Sequence, residues 1–157
     1  MKEEFNQLQQ QNETLKEQLL RAHAELENGH RRSQQAIAKA HKFALEKFAT
    51  ELLPVVDSLE MGLNAMSDAE QNEVVAKLHE GTEMTLKLFL ATLEKFDIKA
   101  VGEPGESFNP DYHQAVSMQP SAEYPANSIA VVMQKGYLLN ERLIRPAMVM
   151  VSQGSAS

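Results

Sequence analysis

The side chains able to carry chemistry in this chain do not gather into a catalytic pattern. Its five histidines, His23, His30, His41, His79 and His113, are scattered. No two have the i, i+4 spacing that sets a pair of zinc ligands on one helix face. His23 and His30 stand seven apart, which favours a shared surface over a shared ligand. His113 has no nucleophile motif near it and reads as structural, a loop-fixing hydrogen-bond donor or acceptor. Cysteine is absent, which rules out thiolate metal sites and disulfides and fits a reducing, cytoplasmic setting. There is no phosphate-binding glycine loop of the Walker or dinucleotide kind. The expectation is therefore no catalytic residue, no metal, no cofactor, no direct nucleotide binding and no enzyme activity.

Recognition remains, and Arg142 is its strongest candidate. Apolar residues flank Asn140-Glu141, and Asn tolerates the left-handed backbone that a tight hairpin turn needs. Arg142 would leave that turn on the return strand, where its guanidinium offers forked, directional bonds to a carboxylate or a backbone oxygen.

The elements that must position it differ along the chain. Between Met1 and Leu53 there is no Pro, and Gly29 is the only Gly. Phe5, Leu8, Asn12, Leu15, Leu19, Ala22 and Leu26 recur in alternating steps of three and four. That is a coiled-coil seam, with Leu8 and Leu15 at d and Asn12 at a, a pattern favouring two parallel strands. After Leu26 the spacing becomes eleven, through Ile37 to Phe48, which relaxes the supercoil. Such a helix has no core of its own, and a homodimer is the economical answer. Arg31, Arg32, Lys39, Lys42 and Lys47 read first as a solvated basic face.

Pro54 is where the long helix should end or kink. Val55, Val56, Leu59, Leu63 and Met66 continue an apolar stripe, and Ser67-Asp68-Ala69-Glu70 reads as a capping box that starts a new helix at Asp68. That helix should run through Leu86 and Leu93 to Phe96-Asp97, interrupted by Gly81. Two such helices per chain, doubled in a dimer, would bury both stripes in a four-helix bundle. From Ile98 onward short β-rich runs alternate with turns, and Pro146 should mark a strand edge or bulge. Met148 and Met150 read as core, whereas Met133 reads as an exposed, mouldable contact. The expected fold is α+β, with a long dimerising helix over 1–53, a bundle segment over 54–97 and a β-domain over 98–157.

The net charge of −7 is uneven, with seven basic and fifteen acidic side chains after residue 50. The compact part is thus acidic, which disfavours nucleic acid as a partner. No apolar run reaches membrane-spanning length, and the polar N-terminus has no signal-peptide core.

Four segments in order carry a family resemblance. They are Leu52 to Glu60, Glu80 to Thr85, Gly105 to Val116 (which includes Phe108-Asn109-Pro110 and His113-Gln114-Ala115-Val116), and Gln134-Lys135-Gly136-Tyr137 followed by Arg145-Pro146-Ala147-Met148-Val149. Together they resemble the GrpE family of nucleotide exchange factors for bacterial DnaK-type chaperones. The resemblance implies a homodimer that binds the ATPase domain of such a chaperone, holds its cleft open and speeds ADP release. It further implies that the paired long helices sense heat by melting reversibly. On matching motifs, the implied chaperone contacts are Arg142, Met133, Phe108, Gly81 and Lys39. The seam and the stripe after Pro54 give the expected dimer contacts, Leu8, Asn12, Leu15, Leu19, Leu26, Ile37, Phe48, Leu59 and Leu63. The chain departs from the family pattern at Gly29-His30 and at Met61-Gly62. Two rival readings are a coiled-coil scaffold that dimerises without affecting ADP release, and an enzyme with an unrecognised site, which the missing constellation opposes.

Overall fold

The computed structural model describes residues 1–155 and divides into two compact units, Met1–Lys42 and a second that begins at Phe43. The first unit is helix α1 (Lys2–Phe43), which reaches the second unit at its last residue. Glu3 and Glu4 in its first turn and His41 and Lys42 in its last complement the helix dipole. None of its residues is buried, so propensity and local pairs alone hold it within one chain.

The second unit opens with α2 (Glu46–Asp68) and α3 (Glu73–Glu94), a helical hairpin. Six strands follow: β1 (Ile98–Val101), β2 (His113–Gln119), β3 (Ile129–Gln134), β4 (Gly136–Leu139), β5 (Arg142–Arg145) and β6 (Ala147–Ser152). They form two three-stranded sheets. In one, β4 lies between β1 and β5, all antiparallel. In the other, β6 lies between β2 and β3, parallel to the former and antiparallel to the latter. The chain steps between the sheets at Lys135 and again at Pro146. Gly136 stands at this double crossing. A Cβ there would lie 2.7 Å from the Arg145 carbonyl oxygen and 2.8 Å from the Pro146 carbonyl carbon, so the two passing segments require its missing side chain.

Two cores result. Ala49, Leu53 and Val56 of α2 and Leu86 and Leu93 of α3 pack with Ile98, Tyr137 and Leu139 of the first sheet. Ile129, Ala147, Val149 and Val151 form the second, with Phe108 and Val132 packed against it. The architecture is α+β, as the patterning indicated, and all six strands lie from Ile98 onward, in the segment expected to be β-rich.

Three local expectations are corrected. Pro54 does not end a helix, because it lies inside α2. Thr50 and Pro54 are both exposed, so the carbonyl that loses its amide partner faces water, where the loss costs little. The break falls earlier, in a turn at Ala44-Leu45. Ser67 does not cap a helix either. It belongs to the last turn of α2, where its hydroxyl donates to the Leu63 carbonyl at 3.0 Å. The cap of α3 is Asn72, whose Oδ1 accepts from the Val75 amide at 2.9 Å. Asn72 followed by the acidic Glu73 carries that signal in the sequence. Pro146, finally, lies within neither strand, although it directly follows β5, an edge strand of the first sheet. It separates β5 from β6, and β6 is the central strand of its sheet.

Candidate partner-binding surface

The β4–β5 hairpin forms as its sequence requires. Asn140 and Glu141 both have positive φ, 48° and 68°, and Leu139 pairs with Arg142 across them. This is the two-residue turn whose twist matches the strands. The Asn140 amide also donates to the Asp97 carbonyl at 2.9 Å, which ties the turn to the segment leading into β1.

A register shift in this hairpin decides where its arginines point. Leu139 pairs with Arg142 and Leu138 with Leu143, but Tyr137 pairs with Arg145, so Ile144 is the extra residue. Without it, residues 142 and 145 would face opposite sides of the strand, because strand side chains alternate. The bulge restores both to the side of buried Leu139 and Tyr137, which faces the helices.

Helix α2 offers acidic partners on one face. Glu46, Asp57 and Glu60 are spaced by eleven and three, close to whole helical turns. Arg142 Nη1 lies 3.4 Å from Glu46 Oε2, with its guanidinium 5.0 Å above the Phe43 ring. Arg145 donates to Asp57 through both terminal nitrogens, at 2.7 and 2.8 Å. It also bonds the Lys135 carbonyl through Nη2 at 2.6 Å and lies 5.5 Å from the Tyr137 ring. Gln134 adds a third bond to Asp57, at 3.0 Å, and Lys135 pairs with Glu60 at 3.2 Å. The acidic row on α2 and the basic row on the β-module thus lock the two together.

The two arginines are not equivalent. Arg145 is 19% exposed and its fork is consumed, so it is structural. Arg142 is 52% exposed and spends one edge on Glu46. Tyr137 lies beneath this seam. Burial raises the pKa of its hydroxyl above the ordinary 10, and Glu60 adds to the rise.

The other expected contact residues have separate surroundings. Met133 is exposed on β3 and lines an open groove of about 330 Å³ together with Met61, Asn64 and Lys135. Phe108 is half-buried beside the second core, its ring 6.0 Å from that of His113. His113 is buried and fixes this loop, as expected: its Nδ1 accepts from the Asn109 amide at 2.9 Å, and Nε2 faces Glu106 at 3.7 Å. Gly81 is exposed on α3, and a Cβ there would have no neighbour within 4 Å. Lys39 is exposed on α1, in the first unit. The sequence reading missed the Asp57–Arg145 lock and the roles of Phe43 and Glu46. The acidic spacing on α2 was visible, but its counterpart depends on the bulge at Ile144.

Of the dimer candidates, Leu8, Leu15, Leu19, Leu26, Ile37 and Phe48 are exposed apolar side chains, and Asn12 is exposed with them. Leu59 and Leu63 are partly buried against the first core. Met148 and Met150, expected in the core, are half-buried. Among the described residues no group of three or more His, Cys, Asp or Glu side chains could hold a metal ion, and no helix is long and apolar enough to cross a membrane.

Comparison with known proteins agrees with these features. A sequence model of the GrpE family matches residues 1–153. The chain is 57% identical over 141 residues to Protein GrpE of Shewanella woodyi, covering 90% of this chain and 66% of that protein. It is 57% identical over 133 residues to the protein of that name from Shewanella loihica, with 85% and 64% covered. With that of Shewanella frigidimarina it shares 51% over 159 residues, covering 99% and 78%. The chain spans about two thirds of the length of the first of these relatives. With its four ordered motifs, its helical hairpin and its β-module, the chain belongs to the GrpE family.

Proposed function

We propose that this chain is a co-chaperone nucleotide exchange factor: a cytoplasmic homodimer that binds the ATPase domain of a DnaK-type chaperone and accelerates ADP release. One observation carries the reading beyond family membership. A half-exposed arginine stands at the turn of a hairpin that is locked to a helix by a row of ion pairs. A protein can expel a nucleotide it never touches by binding the open, nucleotide-free form of the enzyme better. Linkage makes the effect reciprocal, so ADP weakens its binding by the same factor. The wedge must be stiff, since a soft one would deform before the cleft opened, and the lock between α2 and the β-module supplies stiffness. Arg142, Met133, Phe108, Gly81 and Lys39 are the proposed contacts.

Dimerisation supports the reading. The seam of Leu8, Leu15, Leu19 and Leu26 is exposed at 63–71% along a helix with no buried residue, and a second copy in register would cover it. Asn12 fixes that register, while Ile37, Phe48, Leu59 and Leu63 continue the contact toward the bundle. The same weakly held helix suits reversible melting in heat, with Gly29 as its softest point.

The test is stopped-flow release of a fluorescent ADP analogue from a DnaK-type chaperone, with wild type and with Arg142→Ala. Acceleration that Arg142→Ala weakens supports both the activity and the hairpin contact. A dimer with no effect on release would reduce the protein to a scaffold.

A further inference from the structure

We infer that Phe43 and Glu46 are positioning residues that hold the Arg142 guanidinium ready for the chaperone; the inference rests on the reading of Arg142 as a contact. Phe43 ends α1 and Glu46 begins α2, on either side of the turn at Ala44-Leu45. Leu45, between them, turns with φ −88° and ψ −1°, and across that turn both side chains reach the same guanidinium. The ring lies 5.0 Å beneath the guanidinium, and the carboxylate meets Nη1 at 3.4 Å.

This arrangement presents the arginine without using it up. A guanidinium has two faces and five donors in a planar fork. Phe43 lies against the guanidinium and Glu46 meets Nη1, while the side chain as a whole is still 52% exposed. Arg145 shows the contrast, because its donors are spent on Asp57 and the Lys135 carbonyl. A long side chain free to rotate loses rotamer entropy when a partner fixes it, and prior restraint lowers that cost. Glu46 is half-buried and anchored in the first turn of α2, so it orients the fork from a fixed point.

The experiment is a set of double-mutant cycles on ADP release, using the full chain and a DnaK-type chaperone. Phe43→Leu and Glu46→Gln should each raise the half-saturating concentration roughly two- to fivefold, the range of exposed ion pairs and cation–π contacts, and leave the plateau rate unchanged. Phe43→Tyr, which keeps the ring, should restore wild-type behaviour. In an Arg142→Ala background neither substitution should have a further effect. NMR of the Arg142 side chain in the protein alone should show restricted guanidinium motion that both variants release. Effects that add to Arg142→Ala, or tighter binding by Glu46→Gln, would overturn the positioning role. If Arg142→Ala itself leaves release unchanged, the contact assignment fails first and takes the inference with it.

Discussion

Asp57 and Arg145 stand 88 residues apart in the chain and meet through two parallel bonds of 2.7 and 2.8 Å. Both are about four-fifths shielded from solvent, so the pair is shielded well beyond an ordinary surface ion pair. It joins the middle of α2 to the last residue of β5, just before the chain crosses to the second sheet.

Removing one partner strands the other. Asp57→Ala should lower the stability of the second unit by about 2–3 kcal/mol, because Arg145 keeps its charge and loses both bonds. Arg145→Lys should recover only part of that loss, since an ammonium cannot form the fork. Urea unfolding followed by circular dichroism measures both. A change of under about 0.5 kcal/mol would mean that the lock does not hold the module.

Tyr137 predicts the response to alkali. Its hydroxyl pKa is raised above 10 in the folded chain, by burial first and by Glu60 second. Above pH 10 the unfolded chain releases this proton while the folded chain keeps it, so stability falls as pH rises, by up to about 1.4 kcal/mol per unit. Tyr137→Phe should flatten the fall in urea midpoint between about pH 9.5 and 11. An equally steep fall in the variant would place the alkaline loss at other groups.

The hairpin turn carries a correctable cost. Glu141 holds φ at 68°, a left-handed conformation that costs a residue with a Cβ about 1 kcal/mol and costs glycine little. Glu141→Gly should therefore stabilise the unit by up to about 1 kcal/mol and leave the side of Arg142 unchanged. A thermal melt checks the gain, and a lowered midpoint would show that the side chain of Glu141 outweighs its backbone strain.

Gly81 separates stability from recognition. A Cβ there meets nothing within 4 Å, so Gly81→Ala should strengthen α3 by about 1 kcal/mol. If this surface touches the chaperone, the same change should weaken stimulation of ADP release. A variant both more stable and fully active would remove Gly81 from the contact.

Gly29 allows the matching test in α1. It too has open space at its Cβ position, and Gly29→Ala should raise the melting of the long-helix signal while the second unit melts as before. Unchanged melting would leave the proposed soft point without support.

Sequence alone determined what local chemistry controls. The unbroken run through α1 follows from the absence of Pro and a seam whose period only a helix can keep on one side. The turn at Asn140-Glu141 was legible because few residues accept positive φ between two apolar strands. Four ordered motifs fixed the family. Boundaries set by context were less legible: Ser67 and Asn72 both look like caps, and only the length of α2 in three dimensions shows which one is used. Pro54 is tolerated where the Thr50 carbonyl that it leaves without an amide partner lies on the exposed side of α2, a matter of orientation that no window of residues reveals. The tertiary structure alone decided the different fates of Arg142 and Arg145. One extra residue at Ile144 turns both toward α2, where Glu46 and Asp57 stand eleven residues apart, so that one is locked and the other left half-exposed. That division arises from the register of two strands against one helix, a long-range geometry that local preferences do not encode.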